Sequence, residues 1–203
     1  MSTTHASQTS RKVCFVTVGA TASFAPLIRA VVSCSFFAAL IKLHYTHLIV
    51  QYGADGEAMF QDCLKAARAS GDSAALQVSG IALDKRGLGE YMGLAKTGGE
   101  GGAEGVVVSH AGSGTILDAL RRAVLIVVVP NQELLDNHQV ELAEALAEQE
   151  YVVHGRIDNL HQALFDAEAL RTRNEQWPPV NSGVHRNSRG LAGVLDEEMG
   201  FLD

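Results

Sequence analysis

VVVSHAGSGTILDALRRAVLIVVVP, residues 106–130, decides the fold. It opens on a short apolar run, Val106 to Val108, breaks at Gly112 and Gly114, passes through a helical stretch to Arg122, and returns as VLIVVV before Pro130. Strand, glycine turn, helix and strand make one βαβ unit. Strands that are apolar throughout, instead of alternating, are those buried on both faces of a parallel sheet.

Outward from this unit the same alternation repeats, as in a parallel sheet wrapped by crossover helices. Residues 12–18 (KVCFVTV) predict a first strand that stops at Gly19-Ala20-Thr21, and Pro26 suits a first helical turn. Residues 25–43 predict the first helix, and 46–51 (THLIVQ) a strand closed by Tyr52-Gly53. A helix over 56–69 turns Met59, Cys63 and Ala66 or Ala67 inward, and 75–78 form a short strand. A helix over 85–96 is weakened by Gly87, Gly89 and Gly93, and 97–105 (TGGEGGAEG) read by composition as a flexible surface loop. Beyond Pro130, a loop leads to a helix over 137–149 whose Val140, Ala143, Leu146 and Ala147 keep the 3.6-residue period. A short strand over 151–153 and a helix over 160–170 complete the pattern. The expected organisation is a polar extension, 1–11, one domain, 12–170, and a linker and tail, 171–203, containing Pro178-Pro179.

Composition excludes several classes. A chain of 203 residues, 47% hydrophobic and 19% charged, has enough apolar surface for one domain's core. Acidic residues outnumber basic ones 23 to 16, a net charge of −7, which disfavours nucleic acid as a partner. Cys14, Cys34 and Cys63 sit in apolar runs and read as small buried hydrophobes in a reducing compartment, not as a disulfide framework or thiolate site. No apolar segment marks residues 1–10 as a signal peptide, and the uncharged stretch 30–41 is shorter than the roughly 20 residues that span a bilayer. No histidine or acidic cluster has metal-site spacing, so no metal or cofactor is expected.

Ligands of such sheets bind beyond the carboxyl ends of the strands. Three loops stand out there: Gly19-Ala20-Thr21; Ser109 to Thr115, with His110, Gly112, Ser113 and Gly114; and Pro130 to Gln139, with Asp136, Asn137 and His138. Glycines in the second allow backbone amides to approach an anion at a helix start, with the Ser113 and Thr115 hydroxyls as further donors. Its alternative is a plain strand-to-helix connection capped by Ser113 or Thr115. Asp136 to Gln139 offer more hydrogen-bonding heads than a helix cap needs, which suits a sugar, or else a solvated helix start. His44 and His47, flanking Tyr45, read as surface or packing residues. The second loop is neither a dinucleotide fingerprint, since Leu117 replaces the third glycine, nor a hydrolase elbow.

VSHAGSGTILDALR (108–121), followed by VVVPNQELLDNHQVELAEAL (127–146), closely resembles the sugar-nucleotide-binding half of family 28 glycosyltransferases. Within them it is most similar to the soluble subunit of the two-subunit UDP-N-acetylglucosamine transferase of asparagine-linked glycosylation. FVTVGAT (15–21) and YTHLIVQYG (45–53) look like that subunit's opening strands, and DEEMGFLD (196–203) is like its fungal tail. The resemblance implies an α/β, Rossmann-like parallel sheet equivalent to the C-terminal, donor-binding half of a GT-B enzyme. A complete GT-B enzyme would be roughly twice this length. A separate, membrane-anchored subunit would then bind the acceptor.

By that resemblance Gly112, Ser113, Gly114 and Thr115 hold the diphosphate of UDP-GlcNAc, and Asp118 takes the ribose hydroxyls. Asn137, His138 and Gln139 contact the GlcNAc hydroxyls, and Gly19 and Thr21 line the cleft. The implied reaction is inverting transfer of GlcNAc to a GlcNAc-diphosphodolichol lipid at the cytosolic face of the endoplasmic reticulum, without a metal. The general base would come from the partner, with His110 the candidate within this chain. By its apolar character the end, Phe201-Leu202 with Val194, Leu195 and Met199, reads either as part of a docking surface or as a loosely packed tail. The sequence departs from the family at Ala20, where relatives often have a threonine, and at Ala103-Glu104-Gly105, where they often have an aspartate before the strand. A nucleotide-sugar-binding scaffold without catalysis and a self-sufficient epimerase-like enzyme are the alternatives.

Overall fold

The computed structural model describes residues 10–19, 24–69, 75–84, 87–131 and 138–176. Among them, six parallel strands form one sheet: β1 (Lys12–Thr17), β2 (His47–Gln51), β3 (Gln77–Ile81), β4 (Ala103–His110), β5 (Ile126–Val129) and β6 (Val153–His154). Their order is β3-β2-β1-β4-β5-β6, and every adjacent pair runs parallel. The chain winds outward from β1 to one edge, returns to β4 beside β1, and winds to the other edge. This is the doubly wound pattern, with its reversal between β1 and β4.

Burial on both faces explains the continuous apolar strands. Cys14, Val16, Leu48, Val50, Val106, Val108, Val127 and Val129 face one layer of helices. That layer is α1 (Ala25–Val31), α2 (Cys34–Lys42), α3 (Glu57–Ala69) and α7 (Leu160–Gln176). Val13, Phe15, Ile49, Val107, Ile126 and Val128 face the other, formed by α4 (Gly89–Thr97), α5 (Ser113–Arg121) and α6 (His138–Glu148). The two-residue alternation is that of a pleated strand. Each large side chain so buried contributes about 1.5–3 kcal/mol.

Five expectations are corrected. The first helix is two, because the Ser33 hydroxyl donates to Ala30 O (2.7 Å), closing α1, and accepts from Phe36 N (3.3 Å), capping α2. The axes bend by 52°, and no single helix among the described residues is long and apolar enough to cross a membrane. The inward face of α3 is centred on Phe60, Leu64 and Ala67; Met59 and Cys63 pack half-buried at its margin, and of the two alanines Ala67, not Ala66, is inside, because the larger Phe60 and Leu64 take the core. Residues 97–105 are no loose loop. Gly98 (φ +66°) ends α4 where an added Cβ would lie 2.0 Å from Arg11 O, and β4 already starts at Ala103, whose N–H donates to Arg11 O at 2.8 Å.

The last helix passes the expected end at 170 and runs to Gln176, because Arg171 is anchored to Glu168 and Gly105 O. Of the cysteines, Cys14 is buried and Cys63 half-buried, whereas Cys34 is exposed. The tail residues 194–202 lie outside the described residues.

Candidate functional site

The reversal in strand order opens a crevice by construction. After β1 the chain turns to one face and after β4 to the other, so nothing in the sheet's own winding covers the gap between them. Thr17 pairs with Ser109 in register, and the two strands therefore deliver Gly19 and His110 to the same level. Of the residues expected in the site, Gly19, His110, Gly112, Ser113, Gly114 and Thr115 gather here, while Thr21 and Asn137 lie outside the described residues.

His110 joins the two loops. A Cβ added to Gly19, whose φ is +84°, would lie 2.5 Å from the imidazole Cε1, and one added to Gly112 would lie 2.4 Å from Nε2. The ring thus occupies the space that both glycines leave. Burial pushes the imidazole below its ordinary value of 6.5, opposed by the Thr17 backbone, so it is neutral near pH 7. Its Nδ1 is buried and has no hydrogen-bond partner among the described residues.

Neither Ser113 nor Thr115 caps α5. The N-cap is Gly112 (φ −79°, ψ 118°), which has no side chain to cap the helix, and among the described residues no side chain accepts from the first-turn amides. The first intrahelical bond is Ile116 N to Gly112 O at 3.1 Å, so the N–H groups of Ser113, Gly114 and Thr115 have no acceptor within the helix. Together with the positive end of the dipole they form a site for an anion. Gly112 and Gly114 differ here: among the described residues, an added Cβ at Gly114 meets nothing within 4 Å. Packing against His110 requires the first glycine, and no packing contact among the described residues requires the second.

Asp118 stands five residues beyond Ser113 on α5, about 7.5 Å along the axis. Its side chain is 56% exposed and pairs with Arg121 at 3.8 Å. That pairing is weak enough to yield to a ligand. At the third loop, Gln139 turns back: its Oε1 accepts from the buried Asn131 N–H at 3.2 Å, pinning the start of α6 to the end of β5. His138 is the first residue of α6. Beside this loop, away from the α5 start, a cavity of about 470 Å³ opens between Phe24, Pro130, Asn131, Glu144, His154 and Arg156.

Two features escaped sequence reasoning. One is that cavity, whose walls come from segments far apart in the chain. The other is a buried pair under the first loop, Thr17 and Gln51, signalled only by a polar residue ending each of two apolar strands. Among the described residues no group of three His, Cys, Asp or Glu side chains is placed to hold a metal ion.

Three comparisons bear on this geometry. The glycosyltransferase family 28 C-terminal domain pattern matches residues 101–181, which contain β4, α5, β5 and α6. The UDP-N-acetylglucosamine transferase subunit ALG13 of Eremothecium gossypii is 35% identical over 189 residues, covering 88% of this chain and 91% of that protein. An NMR solution structure of ALG13 superposes with a TM-score of 0.59 at 26% identity, over 84% of this chain and 90% of that one. The crystal structure of Acinetobacter baumannii MurG shares the fold at a TM-score of 0.54 and 16% identity. It aligns with 82% of this chain but with only 41% of its own length, so this sheet corresponds to one part of that larger molecule.

Proposed function

The chain belongs to the family of the UDP-N-acetylglucosamine transferase subunit ALG13, a branch of the family 28 glycosyltransferases, and from that membership we propose that it grips the sugar nucleotide for transfer to a lipid-linked acceptor. The observation that carries the reading is the uncapped start of α5, set at the β1–β4 reversal, where none of the described residues lies within 4 Å of a Cβ added at Gly114. The amides of Ser113, Gly114 and Thr115 bind the diphosphate of UDP-GlcNAc, and the Gly112 cap keeps side chains out of their way. Asp118 accepts hydrogen bonds from the ribose hydroxyls. Asn137, His138 and Gln139 serve the GlcNAc hydroxyls, and Gly19 and Thr21 wall the crevice.

In the reaction, the 4-hydroxyl oxygen of the GlcNAc on a dolichyl-diphosphate lipid attacks the anomeric carbon from the face opposite UDP. The new glycosidic bond forms with inversion as the bond to UDP breaks. UDP leaves with the electron pair, and a general base takes the hydroxyl proton. Fixed amides at a helix start stabilise the charge developing on UDP without reorganising, so no metal is required. His110 is held between two glycine backbones, which suits it to spacing the loops; the base comes from a membrane-anchored subunit that also binds the lipid at the cytosolic face of the endoplasmic reticulum.

Two experiments test this reading. The chain copurifies from solubilised membranes with a second subunit, and the assembled complex forms the disaccharide lipid while the chain alone does not. In that complex Asp118→Ala and Gln139→Ala lower turnover, and native turnover in both refutes the site.

A further inference from the structure

Thr17 and Gln51 are both 0% exposed, and neither touches the crevice directly. Burying a hydroxyl and an amide at the end of two apolar strands is costly unless each polar atom is answered, and apolar residues of similar shape would cost nothing. What they answer is the backbone of the first loop. The Thr17 hydroxyl donates to Gln51 Oε1 at 2.7 Å and accepts from Gly19 N at 3.2 Å. Gln51 Oε1 also accepts from Val18 N at 3.2 Å, and Gln51 Nε2 donates to Gly19 O at 3.3 Å. β1 ends at Thr17, so both polar groups of the Gly19 residue lie beyond its ladder, and side chains hold both.

Gly19 is therefore fixed from below by Thr17 and Gln51, and it presses the His110 ring, which presses Gly112, the cap of α5. We infer that Gln51, acting with Thr17, is a positioning residue for the donor site: it sets the first loop against His110 and, through that ring, the amides at the start of α5. The inference rests on reading those amides as the diphosphate site.

Thr17→Val removes the hydroxyl at nearly constant shape, and Thr17→Ser restores it. In the full-length chain, titrated with UDP-GlcNAc and followed by ¹⁵N-resolved NMR, Thr17→Val and Gln51→Leu raise Kd about tenfold, as expected if part of a buried hydrogen bond's cost reaches the site. Thr17→Ser returns Kd close to native. Without ligand, the Ser113 and Gly114 amide signals move in Thr17→Val and return in Thr17→Ser, a response that a local packing role at Gly19 would not produce. Native Kd in a folded Thr17→Val variant, or Ser113 and Gly114 signals that stay in place while Gly19 moves, overturns the inference. Failure of the native chain to bind UDP-GlcNAc would instead sink the donor reading, leaving the amide response to decide the coupling.

Discussion

The two ends of the same sheet treat their polar groups in opposite ways. At the amino end, Lys12 Nζ lies 2.9 Å from Glu168 Oε1, donates to Leu43 O at 3.2 Å, and sits 4.3 Å over the Tyr45 ring. The Tyr45 hydroxyl donates to Glu168 Oε1 at 2.7 Å, and Arg171 reaches both Glu168 Oε2 and Gly105 O. Burial alone would raise the Glu168 carboxyl, but the Tyr45 hydroxyl, Lys12 and Arg171 together hold it below its ordinary value. At the carboxyl end, three amides of α5 lack intrahelical acceptors, and among the described residues nothing lies within 4 Å of a Cβ added at Gly114. An end that pairs its charges fastens α7 to the sheet, although the buried Arg171 Nε has no hydrogen-bond partner among the described residues. One that leaves its donors open is suited to a ligand, and the two should fail differently when altered.

The largest expected effect is at the closed end. Glu168→Ala strands two cations that are only 14% and 12% exposed, Lys12 and Arg171, together with the Tyr45 hydroxyl. A fully buried pair broken this way costs 3–5 kcal/mol; with partial exposure about 2–3 kcal/mol is expected, or a Tm lower by about 4–12 °C. Calorimetry should show that loss while the folded variant keeps native affinity for UDP-GlcNAc. A native Tm would mean that the network does not fasten α7.

The mirror-image experiment is a pair of glycines two residues apart. Gly114→Ala puts its methyl group into open space and trades glycine for a better helix former, so stability is unchanged or rises by up to about 1 kcal/mol. The same methyl group obstructs an arriving diphosphate, and Kd for UDP should rise about tenfold, or 1.4 kcal/mol. Gly112→Ala meets the His110 ring and should lower both Tm and affinity. If calorimetric titration finds native UDP affinity in Gly114→Ala, the open space is not the phosphate site.

How much of this contrast is legible in the sequence follows from how local each signal is. The glycines and β-branched runs of residues 106–130 announce strand, turn and helix within one window, and β4, α5 and β5 form there with shifted ends. The Ser33 break in the first helix was hidden because its apolar pattern continues through it, and only the hydroxyl's two bonds interrupt the axis. Glycine-rich residues 97–105 misled for the opposite reason: composition suggested slack where Gly98 is demanded by contact with Arg11 O. Tyr45 and Glu168 meet across 123 positions, and Thr17 and Gln51 across 34, so their pairing depends on strand order and could not be read from spacing.

Glu168 and His110, one at each end, also separate by pH. Glu168 has a lowered folded value, so its contribution is complete above its ordinary 4.5 and is lost as pH falls through the depressed value. For His110 the unfolded chain binds the proton more readily than the folded one; its contribution is complete above 6.5 and declines as pH drops below that. Tm against pH should thus fall first on an upper limb that His110 shares with His47 and His154, whose values burial also lowers, and then on a lower limb carried by Glu168. His110→Gln flattens the upper limb relative to native, and Glu168→Gln the lower. Unchanged limbs in both variants would remove the electrostatic basis of the comparison.

The smallest expected effect on stability is also the sharpest on assignment. Asp118 and Arg121 form an exposed pair at 3.8 Å, and such pairs contribute under about 0.5 kcal/mol. Asp118→Asn should therefore leave Tm within error of native, since water replaces what the pair loses. If Asp118 accepts from ribose hydroxyls, its amide replaces one acceptor oxygen with a donor and removes the charge that strengthens the other. Affinity for UDP should then fall while affinity for inorganic diphosphate, which has no ribose, stays native. Equal weakening of both would show that Asp118 acts through general charge, and no weakening of either would return it to being a solvated helix residue. Because stability hardly enters, the outcome assigns the ribose contact without the ambiguity that attends any change at the closed end of the sheet.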